Sequence, residues 1–281
     1  SLPSPCFDGF PIKSYGYSPA ISVKPFLVLQ ASLGCPYSCR FYCTYGEFQG
    51  ARLRVRSPKK VVDDMMYLQE RYNIKGIQFR DPTFGLKKNF IPEFCDELKR
   101  RKVQIVWGME TRLDLLNEQN LRQMFDVGLR NINVGIETNN QEIANKNKRL
   151  LIEETHQEKI IKFCHKLGIK VSAFYILGYE GDTEELVINN INYAIKLNTP
   201  LARFAISTPY PGTGFYQQLE KEGRILTTDY EKYTQFNLVY QHKNLSSEKL
   251  KKLLDYAFRH YYFRPLYIFQ FAKWKIREFW L

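Results

Sequence analysis

Three cysteines lie close together in the segment GCPYSCRFYC, which contains Cys35, Cys39 and Cys43. Iron–sulfur cubanes normally take four thiolates, so a loop with three leaves one iron open to bind and activate a small molecule. A tetrahedral zinc site would need a fourth Cys or His nearby, and the nearest histidine in the sequence is His156. A dithiol redox site would need two residues between its cysteines, a spacing that is absent. The pattern favours a [4Fe–4S] cluster.

Further polar residues follow the ends of several predicted strands. In a sheet of parallel strands these ends lie at one edge, where barrel sites are built. The residues singled out on this ground are Asp81, Glu110 with Arg112, Glu137, and the stretch from Tyr175 to Thr183 that contains Ile176, Leu177 and Asp182.

The elements that must position these residues alternate between short apolar runs and amphipathic segments. Six β/α units in a row predict a parallel sheet. Because functional-looking residues follow nearly every strand, we predict an α/β fold, a partial (β/α)6 TIM-like barrel with a mainly helical C-terminal extension, rather than a doubly wound sheet. The predicted strands are residues 26–30, 76–79, 103–107, 131–136, 170–177 and 201–207.

The predicted domains are an N-terminal lead-in segment (1–24), the barrel (25–213) and an aromatic-rich, mainly helical extension (214–281). The final helical region, 246–280, is expected to break near Arg264-Pro265. The sequence does not begin with Met, which suggests a segment cut from a longer protein.

A formal net charge of +12 favours anionic partners, but the basic residues are dispersed and no nucleic-acid-binding module accompanies them. Nucleic acid is therefore not an expected partner. A secretory signal and a membrane-spanning apolar run are both absent from the sequence, so we expect a reducing, cytoplasmic location.

In the sequence, the cysteine loop is followed by Thr44-Tyr45-Gly46 and an Arg-rich turn. Together these segments resemble the cluster loop of the radical S-adenosylmethionine (SAM) superfamily. The usual spacing there is three residues and then two, whereas this sequence has three and three. The resemblance implies that the open iron chelates SAM. It also implies that an electron from the cluster cleaves SAM to a 5'-deoxyadenosyl radical, which abstracts hydrogen from the substrate.

The same resemblance implies SAM-binding roles for residues after each strand. Tyr42 would contact adenine, Asp81 would hold the methionine ammonium, Arg112 in the Glu110–Arg112 segment would clamp the carboxylate, Glu137 would bind the ribose hydroxyls, and the Ile176 and Leu177 backbone would pack adenine. Structural alternatives remain open for three of these positions. Asp81 could form a turn, Glu110 and Arg112 could pair with each other, and Asp182 or Thr183 could cap the next helix.

A narrower resemblance, over nearly the whole chain, is to the cobalamin-dependent branch. It rests on the cysteine loop, Asp81, the 135–138 segment, the 209–213 turn and the Tyr-Phe-Arg-Pro tail. That branch carries cobalamin on a preceding domain, which this sequence lacks. The resemblance implies methyl transfer or cyclisation of a small-molecule or lipid-like substrate, with an electron donor such as flavodoxin or ferredoxin. The alternatives are an RNA-modifying radical SAM enzyme such as a methylthiotransferase, or a non-catalytic iron–sulfur or zinc-binding protein.

The tail from Arg259 to Trp280 interleaves aromatic and basic residues. Two uses are consistent with this pattern. The tail could close the open edge of a partial barrel, or it could contact a membrane surface peripherally. Edge closure is the plainer interpretation.

Overall fold

The computed structural model describes residues 3–279. Six strands form one sheet, and their order across the sheet is the same as their order along the chain. The strand order therefore never reverses, as predicted for a wound barrel sheet. The strands are β1 (Phe26–Leu29), β4 (Gly76–Phe79), β5 (Val106–Thr111), β6 (Leu129–Glu137), β7 (Lys170–Leu177) and β8 (Leu201–Ile206).

Helices follow the strands of this sheet, and several of them begin at a side-chain cap. Ser57 caps the helix that begins at Pro58, because its hydroxyl accepts from the Lys60 N–H. Thr183 caps the helix that begins at Glu184 in the same way. The helices are α1 (Tyr45–Gln49), α2 (Pro58–Tyr72), α3 (Phe90–Arg100), α4 (Glu118–Asp126), α5 (Gln141–Lys146), α6 (Glu154–Leu167), α7 (Glu184–Leu197), α8 (Gly214–Lys221), α9 (Ser247–Tyr262) and α10 (Pro265–Phe279).

Most ends of the predicted strands are confirmed to within three residues. Strand β5 begins at Val106 rather than at 103, because the Val103 N–H bonds back to the Leu98 carbonyl at the end of α3. The short antiparallel pair β2 (Ser32–Leu33) and β3 (Arg54–Val55) was not predicted, nor were α1, α5 and α8. Elements this short carry too few residues to show a period.

The chain forms two compact units. The first comprises Ser1–Gly34, Arg52–Val134 and Thr155–Ser172, and the second comprises Cys35–Ala51, Gly135–Glu154 and Ala173–Leu281. The sequence-based domain boundaries stay a prediction.

In the first unit, an aromatic core packs behind β4 and β5. The rings of Phe79, Phe84, Phe94 and Trp107 lie with centroids 4.9–5.9 Å apart. Edge-to-face packing of this kind contributes beyond its buried area. On β5, Gly108 lies directly against Gln78 and Asn131, where any side chain would collide with them.

In the second unit, α9 packs against β8 and α7, and α10 packs against α9. The Tyr262 hydroxyl bonds both the N–H and the carbonyl of Ala202 in β8, at 3.0 and 2.6 Å. Helix α9 therefore covers edge strand β8, which is the use expected for the tail. Within residues 3–279, no helix combines the length and the apolar character that crossing a bilayer requires.

Candidate functional site

The cysteine loop forms a helical turn. Ser38–Phe41 is a 3-10 helix, and the N–H groups of Tyr42 and Cys43 both donate to the Cys39 carbonyl, at 3.1 and 3.0 Å. A bond from residue i+4 to residue i completes one α-type turn, so Cys39 and Cys43 project on the same side of it. The extra residue in the second gap therefore extends the loop by completing a turn.

Burial dominates the electrostatics of the loop. It raises the pKa of Cys39 to about 12, and the neighbouring Cys43 thiol adds to the rise. Burial also raises the pKa of Cys43 to about 11, against the opposing effect of the Tyr45 backbone N–H, which bonds the sulfur. Burial therefore favours the neutral thiols, and a bound metal ion would offset this by stabilising the thiolates.

The three thiols fit the implied cluster. None of the three is in a disulfide, all three lie partly buried on one loop, and the charges of Cys43 and Cys35 act to raise the pKa of Cys39. In a four-iron cluster each thiolate binds its own iron, and hydrogen bonds to the sulfurs, such as the one from Tyr45, tune the cluster. Among residues 3–279, no three Cys, His, Asp or Glu side chains are arranged to hold a single metal ion.

Glu137, at the end of β6, is the centre of a hydrogen-bonded group beside this loop. Its Oε2 accepts hydrogen bonds from the Tyr42 hydroxyl and, at 2.9 Å, from the Tyr179 hydroxyl. The two tyrosine rings meet edge to face, with centroids 5.4 Å apart. The backbone at Glu137 has φ 68°, a left-handed conformation that a side chain this large adopts only when its surroundings hold it.

Arg149 completes the group and was missed by the sequence analysis. Its Nε lies 3.1 Å from Glu137 Oε2, and its Nη2 donates to the Gly135 carbonyl. Burial acts to lower the pKa of Arg149, but the Glu137 carboxylate and the neighbouring tyrosines outweigh it, and the pKa is raised. Arg149 therefore stays charged. Its place in a polar run after α5 gave no signal that its side chain turns inward.

Of the predicted adenine-binding pair, Leu177 is buried and Ile176 is half-buried at the end of β7. The Ile176 carbonyl accepts from the Asn190 amide at 3.3 Å, and the same amide donates to the Glu137 carbonyl at 2.8 Å. The Leu177 carbonyl accepts from the Ser207 N–H. Asn190 thus links the carboxyl ends of β6 and β7.

The loop after β7 is fixed by buried polar side chains. Asp182 Oδ2 accepts from the Tyr179 N–H at 2.8 Å, and burial raises the pKa of Asp182 to about 7. Thr183, rather than Asp182, caps α7. His242 is also buried. Its Nε2 lies 2.9 Å from the Tyr179 carbonyl oxygen, and its Nδ1 accepts from two backbone N–H groups.

In the first unit, Asp81 is fully buried. One oxygen accepts from the Ser32 hydroxyl at 2.6 Å and the other from the Ala31 N–H at 3.1 Å. Burial raises the pKa of Asp81 to about 6, although these hydrogen bonds act to lower it. The carboxyl group thereby ties the segment after β1 to the end of β4. Its role towards SAM stays a prediction.

Glu110 and Arg112 each have a partner in the first unit. Glu110 pairs with Arg80 and accepts from the Asn133 amide at 3.4 Å. Arg112 forms a two-pronged pair with Asp114, at 3.0 and 3.1 Å. The predicted carboxylate clamp by Arg112 is untested, and binding there would compete with Asp114.

The chain belongs to the radical SAM superfamily, because residues 29–194, more than half of its length, match the family described as "Radical SAM superfamily". The predicted family, its [4Fe–4S] cluster and its SAM cofactor are confirmed at this level.

Curated relatives cover most of this chain. It is 32% identical over 264 residues to "Uncharacterized methyltransferase PH0819" of Pyrococcus horikoshii, covering 92% of this chain and 57% of the relative. It is 33% identical over 205 residues to "Anaerobic magnesium-protoporphyrin IX monomethyl ester cyclase" of Rubrivivax gelatinosus, covering 71% and 36%. The chain thus spans about half or less of the length of the curated relatives it matches.

Solved structures share the fold. The radical SAM methyltransferase TsrM of Kitasatospora setae, whose structure holds cobalamin and a [4Fe–4S] cluster, superposes with a TM-score of 0.65 at 19% identity. The match covers 73% of this chain and 38% of TsrM. Coproporphyrinogen III oxidase (HemN) of Escherichia coli gives 0.53 at 14% identity, over 84% of this chain and 51% of that one. The predicted partial barrel is confirmed.

Proposed function

We propose that this chain is the catalytic barrel of a cobalamin-dependent radical SAM enzyme that transfers a methyl group to, or closes a ring in, a small-molecule or lipid-like substrate. The observation that carries the proposal is the group around Glu137. There, a residue of the cysteine loop and a residue after β7 bond the same carboxylate at the end of β6.

The residues of this chain have distinct tasks in the proposed site. Cys35, Cys39 and Cys43 hold the cluster, which when bound supplies the electron that cleaves SAM. Tyr42 and Tyr179 orient the Glu137 carboxylate, whose oxygens can accept from the hydroxyls of a ribose. Preorganised acceptors of this kind hold a ligand without rearrangement when it binds.

Arg149 and the aromatic rings set the electrostatics of the site. The buried guanidinium balances the Glu137 charge, which would otherwise be costly to keep beside cluster thiolates. The two tyrosine rings pack beside that carboxylate and leave its side chain 16% exposed. A ligand bound there would displace the remaining water, and water exclusion protects a radical from side reactions. The SAM-binding roles of Tyr42, Asp81, Glu110, Arg112, Ile176 and Leu177 are part of the same proposal.

The relatives support the choice of reaction. Besides the cyclase, a "Bacteriochlorophyllide d C-12(1)-methyltransferase" of Chlorobaculum tepidum is 23% identical over 78% of this chain. Their names describe methyl transfer and ring formation, the two reactions proposed. Cobalamin would be carried by a part of the protein outside this sequence. A flavodoxin or ferredoxin in the cytoplasm would supply the electron.

The experiment compares the wild type with Cys39→Ala and Cys6→Ser after anaerobic reconstitution. Iron, sulfide and 5'-deoxyadenosine formed from SAM and dithionite are measured. We expect the wild type and Cys6→Ser, which changes an exposed cysteine outside the loop, to bind iron and form product. Cys39→Ala should do neither. A cluster that survives in Cys39→Ala, or a wild type that binds iron and SAM but forms no 5'-deoxyadenosine, would refute the proposal.

A further inference from the structure

Helix α10 is fixed along one side. The Tyr267 side chain is 5% exposed, and its hydroxyl donates to the Pro200 carbonyl at 2.7 Å. The Arg264 guanidinium, at the start of the helix, donates to the Ile195 carbonyl and to Asn198 Oδ1, both at 3.0 Å. These contacts determine which face of α10 points away from the rest of the second unit.

The opposite side of α10 is apolar and exposed. Leu266, Phe269 and Ile276 are 58%, 69% and 60% exposed. They lie at i, i+3 and i+10, which is one stripe of an α-helix, and exposed Lys273 at i+7 lies in the same stripe. Scattered apolar side chains on a surface need no explanation, but a continuous stripe marks a binding surface.

Helix α10 carries more basic than acidic residues. Its sequence contains Lys273, Lys275 and Arg277 and one acidic residue, Glu278, and Lys273 is the exposed cation within the stripe. Exposed apolar side chains interleaved with cations and aromatics are the features of a helix that lies in the plane of a membrane surface, where cations meet anionic headgroups. An apolar protein partner would not require the cations.

We propose that α10 is an interfacial helix that docks the enzyme on an anionic lipid surface. Leu266, Phe269 and Ile276 enter the boundary between headgroups and acyl chains, and Lys273 contacts lipid phosphates. The stripe is not needed to cover the edge of the sheet, because α9 already covers edge strand β8. A lipid surface would also bring the enzyme to substrates too apolar to diffuse freely in water.

The test is flotation of the full chain with vesicles of phosphatidylcholine alone or mixed with phosphatidylglycerol. Phe269→Asp places a charge in the stripe and Lys273→Glu reverses its cation. Phe236→Asp is the matched control, because Phe236 is 58% exposed outside α10. We expect the wild type and Phe236→Asp to float with anionic vesicles, at least tenfold weaker binding by Phe269→Asp and Lys273→Glu, and loss of binding at high salt.

Three results would overturn the proposal. The first is a wild type that floats with neither vesicle, and the second is equal loss of binding in Phe236→Asp. The third is a wild-type dimer that Phe269→Asp dissociates without any vesicle binding, which would make the stripe an interface between two copies. Flotation does not depend on the cluster, so it is independent of the 5'-deoxyadenosine assay.

Discussion

Tyr42 donates its hydroxyl hydrogen bond to the carboxylate of Glu137, a residue 95 positions further along the chain. Tyr42 immediately precedes the third cysteine, so the bond ties the cluster loop to the end of β6. A change at Glu137 should therefore be felt in the cysteine loop, and a change in the loop should disturb the carboxylate.

Removal of this hydroxyl in Tyr42→Phe should lower the free energy of unfolding by about 1.5–3 kcal/mol, as expected for a hydrogen bond to a charged group. Because the bond joins these two side chains, Tyr42→Phe should lower the free energy of unfolding less in the Glu137→Gln variant than in the wild type. A double-mutant cycle of the two, by denaturant unfolding, measures the coupling. Additive free energies would show that the two residues do not interact in solution.

Replacement of Arg149 by Met should be among the most damaging changes in the second unit. It leaves the Glu137 carboxylate with no guanidinium beside it and should cost about 3–5 kcal/mol of stability. The double variant Arg149→Met with Glu137→Gln removes both charges and should recover part of that loss. If the double variant is no more stable than Arg149→Met, packing rather than charge accounts for the effect.

Gly108→Ala should destabilise the first unit by about 1–3 kcal/mol, the usual cost of overfilling a packed interior. The added Cβ would overlap Gln78 Oε1 and come within 3.1 Å of the Asn131 carbonyl oxygen. Shortening Gln78 to Ala in the same chain should relieve part of the overlap. Thermal unfolding of the single and double variants measures this, and an unchanged Tm in Gly108→Ala would contradict the contact.

Asp182 predicts a pH dependence of stability. Burial raises its folded-state pKa from 3.8 to about 7, so between about pH 4 and 7 the folded state binds more protons than the unfolded state. The free energy of unfolding therefore falls as pH rises through this window, by up to about 1.4 kcal/mol for each pH unit. Asp182→Asn lacks this titration, so its stability relative to the wild type should increase from pH 5 to pH 8.

Denaturant unfolding at pH 5, 6.5 and 8 tests this expectation. Asp255→Asn is the control, because it removes an exposed carboxylate from α9. The change of the stability difference with pH should be larger for Asp182→Asn than for this control. A stability difference for Asp182→Asn that does not change with pH would show that Asp182 titrates alike in the folded and unfolded chain.

Periodicity predicted the sheet and long helices because their burial repeats over many residues. The cysteine loop was predicted from residue type and spacing alone, since chemistry restricts which residues can hold a cluster. Arg149 was not assigned to the site, and Tyr179 was included only as part of the stretch after β7, because their contacts with Glu137 come from long-range folding and leave no local pattern. Asp81 follows a strand as predicted, and its role towards SAM stays a prediction. Its bonds to Ala31 and Ser32 could not be inferred from the sequence, because they join residues 49 and 50 positions apart.

The single helical turn that joins Cys39 to Cys43 affects how such proteins are found in genomes. A text pattern that fixes two residues in the second gap would pass over this chain. A pattern that requires two thiols on one side of a turn, after a buried strand, would retain it. The number of intervening letters is thus a poorer guide to a cluster loop than the direction in which its sulfurs project.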